Sequence, residues 1–239
     1  MNNVKQSDII NMFDNIANSY DIANRILSFG VDIKWRREAC KLSIKLLKSI
    51  FSNNLDSIHI LDMACGSGDM ILSWLKHFKP NQIIGIDPSI NMLNIAKNKL
   101  PFNVELIQGE AAKIKLEDES IDLISIAYGL RNIIELDLAL NEFKRILKKN
   151  GILVILEFTK KDRNSLLDSL ALFYTSRILP LIGGLVSSNY EAYKYLPKSV
   201  EGFLTLESLE NKFINLDFTI EIKKRYIANL CSLVIVRKN

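Results

Sequence analysis

Histidine, cysteine and proline are scarce in this chain, with two, three and five residues among 239. Cys40, Cys65 and Cys231 lie far apart, odd in number and without CxxC spacing. That excludes a disulfide framework or a zinc cluster and points to a reducing, cytosolic compartment. His59 and His77 lie outside the stretch 20–35 and read as structural. The opening "MNNVKQSDIINMFD" lacks a basic segment followed by an apolar one. No signal peptide is expected, and the mature protein should begin at Met1. An aromatic-interleaved basic stripe is missing as well, which speaks against nucleic acid as a partner. The net charge of +4 comes from dispersed lysines with small clusters at 144–149, 160–163 and 223–225. Solvated helix faces explain most of it, and weak attraction to anionic membrane surfaces is the functional alternative.

Long uninterrupted apolar runs are missing too. The nearest, "LLDSLALFYTSRILPLIGGLV" at 166–186, is broken by Asp168, Arg177, Pro180 and the Gly183-Gly184 pair. A membrane span is therefore not expected there; a buried helix or an apolar lid sheltering a greasy substrate is. What is present is ordinary for a globular chain, 48% apolar and 24% charged. One domain is expected over residues 1–239.

Residues 7–50 carry helical spacing, through Ile9, Ile10, Phe13 and Ile16 and then Leu42, Leu46 and Leu47. They read as an N-terminal helical cap over 1–50. From Ile58 short β runs alternate with helices: "IHILDM", a helix to Phe78, "QIIGID", a helix to Leu100, "NVELI", "SIDLISIAY", a helix to Lys149, and "ILVILEF". Such alternation predicts a doubly wound parallel sheet. "FTIEIKKRYI" and "LCSLVIVRK" lie too close for a helical crossover and should pair as an antiparallel hairpin. A seven-stranded, mostly parallel α/β sheet ending in such a hairpin is the Rossmann-like architecture of class I methyltransferases rather than of NAD-dependent dehydrogenases. An apolar lid insertion is expected over 160–205.

In "IHILDMACGSGDM" the loop Gly66-Ser67-Gly68 stands between a strand and a helix, where backbone can approach a ligand closely. GxxxxGK[ST] is absent, and Ile71 occupies the place of the third glycine of the dinucleotide pattern. Asp87 ends the second strand, where a carboxylate accepts ribose hydroxyls. Glu110 follows the third strand, near an adenine edge, and Asp62 or Asp69 would attract a cationic end. Acids without a phosphate-binding cation suit a ligand bearing an amino group and a sulfonium. S-adenosylmethionine fits best.

"YDIANRILSFGVDIKW" (20–35), "YGLRN" (128–132), "RILKKNGILVILEFTK" (145–160) and "AYKYLPKSV" (192–200) resemble the UbiE/MenG quinone C-methyltransferases over nearly the whole chain. The resemblance implies methylation of the ring of demethylmenaquinol in menaquinone biosynthesis, or alternatively of a ubiquinone precursor or another small phenol. It implies cofactor contacts at Ser67, Asp87, Glu110, Ala111 and Ala127, beside Asp62, Gly66 and Gly68 of the loop region. Two positions depart from the family: Ala23 stands in place of its usual Met, and Asp32 in place of its usual His. If that histidine is a proton acceptor, Asp32 would have to act with a lower unperturbed pKa.

A quinol carbon becomes nucleophilic when the neighbouring hydroxyl loses its proton, so the reduced ring is the expected substrate. Arg131 is the candidate for stabilising the phenolate, with Tyr20 and Asn132 as positioning groups. The expected partners are a polyprenylated quinol and, transiently, the inner face of the membrane, in a cytoplasmic protein with a homodimer as an open expectation. Asp32 and Ala23 keep one rival alive, a silent scaffold that binds the cofactor without turnover. An NAD-dependent oxidoreductase is the fold-level rival.

Overall fold

A computed structural model describes residues 5–52, 55, 57–160, 189–226 and 231–239. Two helices come first, α1 (Gln6–Ser28) and α2 (Val31–Ile50). The helical stretch expected over 7–50 breaks at Phe29 and Gly30, whose φ angles are 51° and 71°. This left-handed conformation ends helices, and glycine adopts it without a Cβ penalty.

The alternating elements follow: β1 (His59–Met63), α3 (Asp69–Leu75), β2 (Gln82–Asp87), α4 (Ile90–Lys99), β3 (Glu105–Gln108) and β4 (Ile121–Ala127). A single 3-10 turn (Leu130–Asn132) precedes α5 (Leu136–Ile146) and β5 (Leu147–Phe158). Helices α6 (Tyr190–Gly202) and α7 (Leu206–Asn215) then lead to β6 (Phe218–Tyr226) and β7 (Cys231–Lys238). The helix expected to reach Lys149 ends at Ile146 instead, because Leu147 is already paired with Ile121 in the sheet. The stretch 166–186 and most of the expected lid insertion lie outside the described residues.

The seven strands are ordered β3-β2-β1-β4-β5-β7-β6. Pairings from β3 through β5 are parallel, and β7 runs antiparallel to both β5 and β6. The chain winds outward from β1 to β3, returns to β4, and winds the other way. The direction therefore switches between β1 and β4, and a crevice opens at their carboxyl ends.

Strand alternation divides the core. Ile60, Leu123, Val154 and Leu233 pack against α2, α3 and α4 on one face. Leu61, Ile124, Leu153 and Val234 pack against α5 and α7 on the other. Helix α1 belongs to neither layer; its Ile16, Ala23 and Leu27 meet Ala192 of α6, and it lies against α4.

Asp62 interrupts β1 on the face of Ile60, two residues away. It is buried, its Oδ1 accepting the Ser125 hydroxyl at 2.5 Å, while Ser125 Oγ accepts Trp74 Nε1–H at 2.9 Å. Burial pushes the Asp62 carboxyl up to about 7 against the Ser125 hydrogen bond and the Arg36 charge, with Asp87 and Asp69 adding to the rise. A raised folded-state pKa means that the native state holds the proton more tightly. The stabilising contribution is present in full below the unfolded value near 4 and is lost as pH rises to about 7, at most roughly 4 kcal/mol. In urea titrations Asp62→Asn should remove that part of the decline between pH 4 and 7; an unchanged slope would exclude Asp62 as its source.

Candidate active site

Strained backbone marks the crevice. Ala64 after β1 and Tyr128 after β4 take φ of 52° and 62°, left-handed values that cost non-glycine residues on the order of 1 kcal/mol or more. Gly66 and Gly68 share that region at 54° and 85°. A Cβ at Gly68 would strike Leu100 Cδ1 at 2.7 Å, whereas one at Gly66 would meet nothing within 4 Å. Gly68 lets the end of α4 close in, and Gly66 faces empty space.

That space is a cavity of about 400 Å³, of the size small-molecule sites require. Of the residues singled out in the sequence, Gly66, Asp87, Glu110, Ala111, Ala127, Tyr20 and Asn132 line it. Gln6, Ile9, Ile10 and Phe13 of α1 form the wall that sequence reasoning missed. Their helical spacing was legible, but the surface they cover is set by tertiary packing. The acids Asp87, Glu110 and Glu135 face a single cation, Lys5, among the described lining residues. Such a wall repels a pyrophosphate and suits a cationic ligand with ribose hydroxyls, so the donor set fits S-adenosylmethionine.

Asp87 is held by two backbone amides, Gly66 N–H at 2.8 Å and Ser89 N–H at 2.9 Å. Burial pushes its carboxyl up to about 6, opposed by those two hydrogen bonds and aided by Asp14. Ser89 caps α4 and donates its hydroxyl to Asp14 Oδ1 at 2.5 Å, which ties α1 down beside Asp87. Ser89 had a readable signal as an N-cap before "INM"; Asp14 had none.

Asp62, Ser67, Gly68, Arg131 and Asp32 do not line this cavity. Asp62 is turned into the core by strand alternation. Ser67 is one residue beyond Gly66, its hydroxyl donated to Asp21 Oδ1 at 2.5 Å. Lys99 Nζ bridges Asp21 at 2.7 Å and Asp69 at 2.5 Å. Arg25 pairs with both Asp69 and Asp32, and Arg36 pairs with Asp32. Burial raises the Asp69 pKa, but Arg36, Lys99 and Arg25 outweigh it and hold the carboxyl below its usual range. Asp32 also accepts the Ser28 hydroxyl at 2.7 Å and is buried. Enclosed by two guanidiniums and a hydroxyl, it locks the α1–α2 corner and is not presented to the cavity as a base.

Arg131 is buried behind the cavity. Its Nη1 donates to Glu157 Oε1 and to the Tyr128 carbonyl, both at 2.6 Å, and its Nε donates to Ser199 Oγ at 3.2 Å. Glu157 Oε2 also accepts the Arg131 backbone N–H at 3.0 Å. Glu157 was missed, although an acid inside the apolar run "ILVILEF" is itself a signal that a partner is waiting. Asn132 accepts the Tyr195 hydroxyl at 3.1 Å, bringing α6 to the cavity edge. Tyr20 hydrogen-bonds the Asn24 side chain, and burial raises its pKa against the pull of Arg131. The phenol stays protonated at neutral pH and is a donor.

Removing one partner of the Arg131–Glu157 pair strands the other charge. Arg131→Ala and Glu157→Ala should each cost about 3–5 kcal/mol. The double Arg131→Met/Glu157→Met variant should be more stable than either, by urea denaturation at pH 7. Strictly additive losses would show that the two do not act as a pair.

The chain matches the ubiE/COQ5 methyltransferase family over residues 1–231. A ubiquinone/menaquinone biosynthesis C-methyltransferase UbiE of Campylobacter jejuni (strain 81-176) is 45% identical over 98% of this chain and 99% of its own. A demethylmenaquinone methyltransferase of Thermus thermophilus is 35% identical, covering 87% and 92%. Among solved structures, a SAM-dependent methyltransferase of Thermotoga maritima, described as a possible histamine N-methyltransferase, superposes with a TM-score of 0.64. It covers 96% of this chain and 99% of its own at 20% identity, a likeness of fold.

Proposed function

Because this chain belongs to the ubiE/COQ5 methyltransferase family, we propose that it methylates a ring carbon of demethylmenaquinol to give menaquinol. The enzyme is an S-adenosylmethionine-dependent C-methyltransferase of quinone biosynthesis. A ubiquinol precursor is the second substrate reading, favoured by the double name of the Campylobacter relative. The observation that carries the chemistry is the acid-walled cavity at the switch point, roofed by α1.

When bound there, S-adenosylmethionine supplies an electrophilic methyl group on a sulfonium. Asp87 would hold the ribose and Glu110 with Ala111 the adenine side, while Gly66 gives the ligand room. On the apolar side Ile9, Ile10, Phe13 and Met92 would keep water out. Dryness favours this reaction because an anion and a cation combine as charge disappears, so desolvation costs the ground state more than the transition state.

Tyr20 would donate a hydrogen bond to the ring oxygen that becomes a phenolate. Arg131 is the charged group behind it, with Glu157, Tyr128 and Ser199 fixing the orientation of its fork. The prenyl tail implies peripheral contact of a cytoplasmic enzyme with the inner face of the membrane. Among the described residues no helix is long and apolar enough to cross one.

Methyl-labelled S-adenosylmethionine with short-tailed demethylmenaquinol under dithionite should put label into the organic phase, and the oxidised quinone should not. No transfer to either quinol class by protein that binds the cofactor would favour the silent scaffold. Asp87→Ala should severely weaken binding of S-adenosylhomocysteine by calorimetry. In the wild type, protonation of Asp87, titrating at about 6, removes its acceptor charge. Affinity should therefore fall roughly tenfold between pH 7 and 5; a flat profile would take Asp87 out of the ribose site.

A further inference from the structure

The outer face of α2 is basic from end to end. Lys34, Arg37, Lys41, Lys45 and Lys48 are all exposed, and their spacings of three and four residues place them on one side of the helix. The acids of α2 do not compensate them: Asp32 is buried between Arg25 and Arg36, and Glu38 pairs with Lys224 of β6. Where this strip begins, the α1–α2 corner exposes aliphatic surface. Ile22 and Ile26, one turn apart on α1, are 61% and 43% exposed, and Ile33 at the start of α2 is 41% exposed.

We propose that the α1–α2 corner and the basic face of α2 form a docking surface for an anionic lipid bilayer. Each cation near such a surface adds attraction that decays within a Debye length, and the isoleucines enter the boundary between headgroups and acyl chains. The aliphatic component decides between macromolecules. A nucleic-acid backbone would reward the lysines and arginine but gain nothing from exposed isoleucine side chains, whereas a bilayer rewards both. Ile22 and Ile26 also lie on the outer face of the helix whose other face, through Ile9, Ile10 and Phe13, lines the cavity. Docking there brings the roof of the active site to the surface in which a polyprenylated substrate is dissolved. This last step rests on the quinol reading; the docking itself does not.

The test is flotation of the full chain with phosphatidylcholine vesicles, with and without about one-third phosphatidylglycerol, at low and high salt. The wild type should float with the anionic vesicles, release at high salt, and ignore the neutral ones. Lys34→Gln/Arg37→Gln/Lys41→Gln/Lys45→Gln should weaken partitioning on the order of a thousandfold. Ile22→Ser/Ile26→Ser should weaken it at unchanged net charge. Both variants should keep the wild-type circular dichroism spectrum and wild-type methylation of a short-tailed soluble quinol, and lose turnover on vesicle-borne substrate. No flotation of the wild type, undiminished flotation of the fourfold variant, or capture of a short RNA in preference to vesicles would overturn the proposal. Vesicle binding that follows the variants, in a protein inactive on every quinol, would leave the surface standing and remove the substrate reading alone.

Discussion

The arrangement around the cofactor cavity depends on one carboxylate shared among three cations. Asp69, the first residue of α3, pairs with Lys99 of α4 and Arg25 of α1 and lies 3.8 Å from Arg36 of α2. Three elements of the scaffold and cap are thereby held to the turn that carries the glycine loop. With Asp21 and Asp32 the cluster contains three acids against the three cations Arg25, Arg36 and Lys99. That balance makes partial burial tolerable, since an unmatched charge there would be desolvated without a partner. The lowered pKa of Asp69 expresses the same fact: the cations outweigh the cost of burial.

Charge is managed differently on the two sides of the cavity. The lining of the cavity carries Asp87, Glu110 and Glu135, with Lys5 its one cation among the described residues. Behind it the guanidinium of Arg131 is matched by Glu157 at 2.6 Å. An uncompensated guanidinium would repel a sulfonium ligand, whereas a paired one retains its rigid fork of donors with little net field. This combination suits a reaction in which charge vanishes at the transition state.

Much of this was readable from the chain. The strand–glycine loop–helix order, the acid at the end of β2 and the terminal hairpin follow from local patterns, and the switch point follows from topology rules. The burial of Asp62 follows from strand alternation: it shares parity with Ile60 and therefore faces α2 and α3. Asp32 read as a candidate base because it stands where the resembling family has a histidine; its partners Arg25 and Arg36 are recognisable only once the α1–α2 corner is closed. The wall built by α1 was illegible for the same reason. Helical periodicity identifies an apolar face but not what that face will cover. At Leu147 a helix expected from its charged, helix-favouring residues yielded to pairing with Ile121, a tertiary contact that local preference does not contain.

These differences divide the molecule by rigidity. The floor of the site is built from strands buried on both faces and from the enclosed Arg131–Glu157 pair, with side chains 6% and 1% exposed. The roof is tied down partly by Lys99–Asp21, where the two side chains are 25% and 31% exposed, and an ion pair that accessible contributes only about 1 kcal/mol or less. Salt and water weaken such ties while leaving the floor intact. The N-terminal helix packs against α4 and α6 without contributing a strand or a layer to the core, so weakening its ties leaves the pairing of the sheet untouched.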